Sequence, residues 1–483
     1  MRSRSFPLVL ALLMGCEGSE APDSGADAAG LDAMGLDAMG LDAMGLDAMG
    51  LDAMGLDAMG LDAAGEDVLA LDARPGLDAP EVLDPDAIYV APDGDDANDG
   101  SRDAPFFTVE RAWQELSAGR TLYLRGGLYE YPDDQLLFGR SGTAEAPIRV
   151  WAYPGEQPVF TDAPGYVGQD LFYFEGEYVH FRGLEIREFR PTDFGWPAFR
   201  SDASSHCIYE RFDYHHNGAG MAIRRGSDDN LILRSDFHHN ADPRDDYDGT
   251  DGLDVAELVA GTTNTVRECR AWWNGDDGFD AFASNGLVVF ERSWAFYNGY
   301  IPDTFDTAGN GAGFKLGLAT PGAELLRVVV GNVSYRNRLW GFVENDARVV
   351  MHVFHNTSIL NGGRNYWFGS WDQPGTEDDF VMLVRNNVAF GPAGAAPELD
   401  GMPVTFAPFS LVDHNTWNEG FVVDEADFES LDGMELAGPR GPAGELPEVS
   451  FAHLVATSDL VDTGLDVGTP FRGSAPDLGA FER

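Results

Sequence analysis

The sequence predicts an all-β chain that folds as a right-handed parallel β-helix, a solenoid with a short N-terminal capping helix and a disordered tether before it. Three observations lead to this prediction: a spaced series of asparagines, a second motif that follows most of them, and the composition. Gly, Asn, Asp and aromatic residues are plentiful while long helical patterns are scarce, which favours a β-rich solenoid or a sandwich.

The asparagines each end a strand-like run, and they are Asn217, Asn240, Asn274, Asn298, Asn337 and Asn361. Their spacings are 23, 34, 24, 39 and 24 residues. The three short spacings suit one coil of a parallel β-helix, and the two long ones equal a coil plus an insertion of about 10 to 15 residues. We expect the asparagines to hydrogen-bond along the solenoid, as side-chain ladders do in cross-β structures. A β-sandwich with irregular strands is the alternative, and six repeats in register argue against it.

The second motif is a glycine, an apolar residue and a third residue that varies. It occurs at 220–222, 252–254, 278–280, 313–315 and 341–343. Because side chains alternate along a strand, the apolar residue should point into the core and the third residue should point outward. Coils stack about 4.8 Å apart, so the third residues should form a column of near neighbours on the outer face.

The start of the chain predicts an export signal at residues 1–15. Two arginines precede an apolar run at 8–14 that is too short to span a bilayer, and the run leads into Leu-Met-Gly-Cys16. This resembles a bacterial lipobox, in which Cys16 becomes the lipidated first residue, and Glu17 resembles a sorting signal for the outer membrane. We therefore expect an exported lipoprotein of the outer membrane or cell surface. Ordinary signal cleavage, with Cys16 incidental, is the alternative.

Residues 16–87 predict a disordered acidic tether. Within them, 30–59 are six consecutive Gly-Leu-Asp-Ala-Met units. A period of five matches neither the helical period of 3.6 nor the strand period of 2, so the leucines do not collect on one face. The segment can therefore bury little apolar surface, and repulsion between its acidic residues should keep it extended. The solenoid domain then covers 88–483, with its C-terminal coils and cap at about 395–483.

A short amphipathic helix is predicted near the start of the domain, where it would cover the open apolar end of the stacked strands. Its apolar face consists of Val109, Ala112, Trp113 and Leu116. Short β-strands are predicted to follow at 121–124 and 148–152.

The charge of the chain argues against nucleic acid as a partner. There are 81 acidic and 31 basic residues, which gives a net charge of −50, whereas phosphate binding needs clustered Lys and Arg. An anionic sugar polymer stays compatible with this charge if a divalent cation bridges the two.

The register of the motifs brings four carboxylates together. Asp251 and Asp277 each precede the motif glycine on adjacent coils, Asp276 lies beside Asp277, and Asp280 occupies the outward position. Four carboxylates this close cannot all stay ionised without a counter-charge. Ca²⁺ suits a flexible all-carboxylate site better than Mg²⁺ does. An ordinary Asp-rich turn is the alternative.

Lys315 is the only lysine of the chain, and the motif places it one coil beyond Asp280. Lysine can release its proton when its surroundings lower its pKa, whereas arginine does not. The sequence therefore predicts Lys315 as a general base. A salt bridge to Asp280 is the alternative, but arginine would serve that purpose equally well.

The central motifs resemble those of polysaccharide lyase family 9, the pectate lyase L type. The matching segments are Asp251-Gly252, 269–272, 274–280 and 310–316, with further likeness at 141–143, 146–148, 152–156, 386–387 and 475–482. The resemblance covers about residues 88–483. It implies Ca²⁺ ligands at Asp251, Asp276, Asp277 and Asp280 and a base at Lys315.

The function expected from these observations is Ca²⁺-dependent β-elimination on a uronic-acid polymer, with pectate or polygalacturonate as the first expectation. We expect a monomer that is attached to the membrane only through the lipid on Cys16. Asp254 adds a carboxylate that would either tighten Ca²⁺ or repel an anionic substrate. The alternatives are a β-helix glycoside hydrolase, a lyase for alginate or a glycosaminoglycan, and a non-catalytic Ca²⁺-dependent polysaccharide-binding surface protein. The binding protein would use exposed aromatics such as Trp340, Trp367 and Trp371.

Overall fold

The structure is a computed structural model. It describes residues 83–190, 195–320, 322, 324–347, 349–368, 382–391, 411–418 and 420–483. The predicted signal peptide, Cys16 and the tether up to residue 82 lie outside the described residues.

The described chain is built from short β-strands. The first ten are β1 Ile88–Val90, β2 Thr121–Leu124, β3 Gly127–Tyr131, β4 Gln135–Leu137, β5 Ile148–Ala152, β6 Pro158–Asp162, β7 Phe172–Phe174, β8 Val179–Arg182, β9 Glu185–Arg187 and β10 Phe199–Asp202. The next eleven are β11 Ile208–Glu210, β12 Asp213–His215, β13 Met221–Arg224, β14 Asn230–Leu233, β15 Asp236–His238, β16 Leu253–Ala256, β17 Thr263–Arg267, β18 Arg270–Trp272, β19 Phe279–Asp280, β20 Leu287–Glu291 and β21 Trp294–Phe296. The remainder are β22 Ala312–Lys315, β23 Leu325–Val330, β24 Val333–Tyr335, β25 Trp340–Val343, β26 Val350–Phe354, β27 Thr357–Ile359, β28 Arg364–Trp367, β29 Met382–Arg385, β30 Val388–Phe390 and β31 Leu411–Asp413.

These strands form three parallel sheets, and each strand pairs with the equivalent strand of the next coil. Sheet 1 has 12 strands: β1, β2, every third strand from β5 to β29, and β31. Sheet 2 has ten, every third strand from β3 to β30, and sheet 3 has nine, every third strand from β4 to β28. One turn of the chain therefore contributes one strand to each sheet. The predicted right-handed parallel β-helix is confirmed.

The interior is filled by the apolar residues that the second motif predicts. The motif residues at zero exposure are Met221, Leu253, Phe279, Phe314 and Phe342. Phe314 stacks on Phe279 with a ring-centroid distance of 5.1 Å and on Phe342 at 4.8 Å. Stacked aromatic pairs add to the free energy gained from burial, so each coil helps to fix the register of the next.

The predicted asparagine ladder is present between sheets 2 and 3. From Asn240 to Asn361, each asparagine amide oxygen accepts a hydrogen bond from the backbone N–H of the preceding asparagine of the ladder, at 2.9 to 3.2 Å. The residue just before each of them has a positive φ, between 47° and 59°. This left-handed conformation is costly for non-glycine residues, and the ladder bonds offset that cost.

Asn298 lies in the middle of the ladder, and replacing it by Ala should lower stability. Its side chain bonds to Ala271, Asn274 and Asn337. Truncation leaves buried polar groups unpaired at about 1–3 kcal/mol each, so we expect a loss of about 3 kcal/mol, read from the midpoint of urea unfolding. Asn310→Ala, at an exposed side chain, is the control and should change little. Equal midpoints for the two variants would show that the ladder contributes little.

The N-terminal end of the solenoid is closed by helix α1, Val109–Trp113, as predicted. Thr108 caps it by accepting a hydrogen bond from the N–H of Arg111. Trp113 is fully buried, and its ring N–H donates to the Phe138 carbonyl at 3.0 Å. No helix among the described residues is long and apolar enough to cross a membrane.

The C-terminal segment, residues 420–483, lies against the outer face of sheet 2. It includes the 3₁₀ helices Glu425–Asp427 and Gly433–Ala437. Arg270 of β18 donates to the Leu436 carbonyl at 2.9 Å, and Arg440 pairs with Asp236 of β15 at 2.7 Å. The segment covers part of sheet 2, whereas the predicted site residues lie on sheet 3.

Candidate active site

The third residues of the second motif form a column on the outer face of sheet 3. Asp254 of β16 pairs with Asp280 of β19, Asp280 pairs with Lys315 of β22, and Lys315 pairs with Val343 of β25. The column continues to Trp367 of β28. The sequence register therefore places these side chains next to one another.

The motif glycines allow the coils to approach closely at the site. A Cβ on Gly252 would lie 2.5 Å from the Gly278 carbonyl oxygen, and a Cβ on Gly278 would lie 2.7 Å from that of Gly313. Any side chain at these positions would push adjacent coils apart. The glycines thus hold the turns that carry Asp251, Asp276 and Asp277 in contact.

Five carboxylates converge around Asp251. Oxygen atoms of Asp251, Asp276 and Asp277 lie within 4.8 Å of one another, and so do oxygens of Asp251, Asp254 and Asp280. The backbone N–H of Asp277 donates to Asp251 Oδ1 at 2.9 Å, which joins the two coils. All five residues are buried.

Burial and mutual repulsion raise the pKa of three of these carboxyl groups. The pKa of Asp251 lies well above its usual value because the group is desolvated and faces Asp254, Asp276 and Asp280. The pKa of Asp276 is raised well above its usual value by desolvation and then by Asp277. Desolvation raises the pKa of Asp280 to about 7, although Lys315 opposes the shift. The arrangement holds more negative charge than its own residues can balance.

Lys315 faces the carboxylates directly. Its Nζ lies 2.9 Å from Asp277 Oδ2 and 3.1 Å from Asp280 Oδ2, and 13% of its side chain is exposed. Burial alone would lower the pKa of Lys315, but the carboxylates of Asp277 and Asp280 raise it well above its usual value. Lys315 thus supplies a positive charge directly to Asp277 and Asp280.

The donor set fits a hard divalent cation. Among the described residues, Asp280 Oδ1 is buried and has no hydrogen-bond partner. This carboxylate oxygen could therefore coordinate a cation. Carboxylate oxygens are the ligands that Ca²⁺ and Mg²⁺ take, and Ca²⁺ accepts the larger and less regular set. The residues at hand are therefore chemically suited to Ca²⁺.

Asp254 has a partner of its own. It forms an ion pair with Arg224 of β13, so part of its negative charge is balanced within the protein. Arg224 was not among the predicted site residues, although the sequence places it two residues after Ala222 and so on the same outer face. The bond from the Asn310 N–H to Asp276 Oδ1 could not be predicted, because Asn310 lies in an insertion without an equivalent in other coils.

An aromatic pair lies farther along the same sheet. Trp340 of β25 and Trp367 of β28 have ring centroids 4.9 Å apart, and both side chains are partly exposed. They are two of the three tryptophans considered for sugar stacking, and the third, Trp371, lies outside the described residues.

Comparison with known proteins gives consistent results. A family model described as "Pel9A-like, right handed beta helix region" matches residues 88–380. Pectate lyase L of Dickeya dadantii is 35% identical over 411 residues, which is 82% of this chain and 90% of that protein. Pectate lyase PEL9 of Emericella nidulans is 28% identical over 77% of this chain and 93% of that protein.

Solved structures agree with the sequence comparison. The crystal structure of pectate lyase Pel9A superimposes with a TM-score of 0.67 at 31% identity, covering 82% of this chain and 96% of that one. A rhamnogalacturonan lyase gives a TM-score of 0.63 at 26% identity, covering 77% and 96%. The fold and these relatives define the chain as a polysaccharide lyase, the predicted class of enzyme. It belongs to the Pel9A-like right-handed β-helix family.

Proposed function

We propose that the chain is a Ca²⁺-dependent lyase that cleaves a uronic-acid polymer by β-elimination, with pectate or polygalacturonate as the first substrate to test. The observation that carries the proposal is the contact of Lys315 Nζ with Asp277 and Asp280 inside a group of five buried carboxylates. Relatives named pectate lyases support this substrate class. The name rhamnogalacturonan lyase on a similar structure makes other pectic polymers worth testing too.

The carboxylates that would hold the ion are Asp251, Asp276, Asp277 and Asp280. When bound there, Ca²⁺ supplies positive charge that binds the C6 carboxylate of the sugar and makes the C5 proton more acidic. Lys315 Nζ takes that proton as general base. The C5–H electrons form the C4=C5 double bond, the C4–O bond breaks, and the leaving oxygen gains a proton from solvent. The product carries a 4,5-unsaturated sugar at its new end.

Lys315 can act as a base only in its neutral form. Asp277 and Asp280 raise its pKa, so a cation that balances those carboxylates would favour the neutral base. The metal requirement and the base are thus linked through the same two side chains. Activity should rise toward alkaline pH because the neutral fraction of Lys315 grows there.

A screen of polymers tests this function. The full chain is incubated with polygalacturonate, rhamnogalacturonan, alginate and a glycosaminoglycan, with Ca²⁺ or with a chelator, and unsaturated ends are followed by ultraviolet absorbance. We expect absorbance to rise with a pectic polymer and Ca²⁺, to stop with chelator and to return on adding Ca²⁺. New reducing ends without absorbance would indicate a hydrolase. Binding without turnover on every polymer would indicate a binding protein, and either result contradicts the proposal.

A further inference from the structure

Two adjacent coils carry the same five-residue motif, Asp-aromatic-His-His-Asn, at 213–217 and 236–240. Strands β12 and β15 pair in register, so the histidines stack in two columns on sheet 2. The ring of His215 lies 4.8 Å from that of His238, and the ring of His216 lies 5.0 Å from that of His239. Four imidazoles therefore lie together on a sheet other than the one that carries the carboxylates.

Within each motif the two histidines face each other through the same atom. Nδ1 of His215 lies 2.7 Å from Nδ1 of His216, and the same distance separates Nδ1 of His238 from Nδ1 of His239. The second histidine of each pair has a φ of 56°. This left-handed conformation turns its side chain back toward the first.

The outer ring nitrogens of His215, His238 and His239 contact carboxylates. Nε2 of His238 lies 3.1 Å from Asp213 Oδ1, and Nε2 of His239 lies 3.3 Å from Asp303 Oδ1. An ionised carboxylate only accepts hydrogen bonds, so it favours the tautomer with the proton on Nε2 and leaves the Nδ1 lone pair unprotonated. His215 has the same arrangement with Glu185 Oε1, at 3.4 Å.

Two Nδ1 atoms 2.7 Å apart must share either a proton, as an Nδ1–H···Nδ1 hydrogen bond, or a metal ion. Carboxylates that hold the outer nitrogen of an imidazole whose inner nitrogen binds a metal are typical of protein metal sites. We propose that His215, His216 and His238 bind one divalent transition-metal ion such as Zn²⁺, with His239 placed beside them by its Nδ1 contact with His238.

The spacing and accessibility fit such an ion. Metal–nitrogen bonds of about 2.0–2.1 Å place neighbouring ligand atoms roughly 3 Å apart, close to the 2.7 Å within each pair. The rings of His215 and His238 on adjacent coils are 4.8 Å apart and would have to tilt toward a shared ion. Ligand atoms of His215, His216 and His238 lie within 4.8 Å of one another. His216 is exposed and the other three are half-buried, so an ion can enter from solvent. Imidazole ligands select Zn²⁺, Ni²⁺ or Cu²⁺ over Ca²⁺.

Aromatic packing alone does not account for the arrangement. The stack does continue from His238 to Trp272 at 4.2 Å and from Trp272 to Phe296 at 5.5 Å. Stacking explains the parallel rings, but it requires neither the facing Nδ1 atoms nor the carboxylates on the outer nitrogens. The bound ion would join two adjacent coils and stabilise the folded state.

Zn²⁺ binding to the full chain tests the site. The metal-free protein is dialysed against Zn²⁺ with excess Ca²⁺ present, for the wild type, a His216→Asn/His239→Asn double variant and a His206→Asn control. His206 is a matched control because it also has a left-handed backbone and a carboxylate partner, Asp229. We expect the wild type and control to bind one Zn²⁺ per chain, with Tm raised by about 2–5 °C, and the double variant to bind at least about 100-fold more weakly.

Equal Zn²⁺ binding by the wild type and the double variant, or no stoichiometric binding by the wild type, would overturn the site. If the double variant does not fold, the exposed single variant His216→Asn is measured in its place. Cu²⁺ bound to the wild type should show nitrogen hyperfine splitting in its EPR spectrum, and a spectrum without nitrogen splitting would contradict the site. The lyase assay with Ca²⁺ is independent of these measurements, so the two proposals can fail separately.

Discussion

Replacing Lys315 by Arg should lower turnover by at least about 100-fold, because a general base contributes roughly 10²- to 10⁴-fold in rate. The guanidinium keeps the positive charge and can still pair with Asp277 and Asp280, which contact Lys315 at 2.9 and 3.1 Å. It stays protonated at any working pH, so it cannot accept the C5 proton. The substitution thus removes the base while preserving the electrostatics of the site.

The measurement is kcat on the polymer that gives unsaturated product, at saturating Ca²⁺ and over a range of pH. Ca²⁺ affinity and thermal stability of the variant serve as controls and should stay close to those of the wild type. Near-wild-type kcat with an unchanged pH profile would mean that Lys315 is only the ion-pair partner of the carboxylates.

Replacing Asp277 by Asn should weaken Ca²⁺ binding by about 100-fold, with activity partly restored by added Ca²⁺. Asp277 is fully buried, and the new amide oxygen can still accept from the Ala312 N–H as Asp277 Oδ1 does. The change therefore removes one negative charge together with the ion pair between Lys315 and Asp277 Oδ2, and a hard cation binds more weakly when it loses an anionic ligand. Calorimetric titration of Ca²⁺ measures the effect.

The matched control is Asp228→Asn, at a half-buried aspartate that accepts a backbone hydrogen bond from Thr263. It should leave Ca²⁺ affinity unchanged. In the wild type the affinity should fall as pH drops through about 7, because the raised pKa of Asp280 lets protons compete with the ion below that value. An affinity that is equal at pH 5 and pH 8, or equal in the two variants, would place the ion elsewhere.

Much of the fold was predictable because each coil repeats the same local chemistry. Helix α1 and strands β2 and β5 lie where the apolar patterns predicted them. The column from Asp254 through Asp280 to Lys315 followed from alternation within a strand and the spacing of coils. Both rules depend only on local backbone geometry, which a sequence expresses directly.

Other features were missed for physical reasons. A second asparagine ladder is formed by Asn332, Asn356, Asn387 and Asn415. Its first two members are 24 residues apart, the spacing of one short coil, so the sequence contained a pattern that could have predicted the start of this ladder. The contact of Arg270 with Leu436 joins residues 166 apart, and no repeat encodes it. The lowered pKa of Lys315 beside a bound cation stays a prediction, because the upward shift caused by Asp277 and Asp280 reflects the charges of the protein alone.

Diffraction from crystals of the full chain grown with Ca²⁺ tests most directly whether the carboxylates and Lys315 form one metal-dependent site. We predict a single ion at about 2.3–2.6 Å from oxygens of Asp251, Asp276, Asp277 and Asp280. We also predict that Lys315 Nζ then lies outside ion-pair distance of Asp277. An ion at any other position, or none at saturating Ca²⁺, would contradict the proposed site.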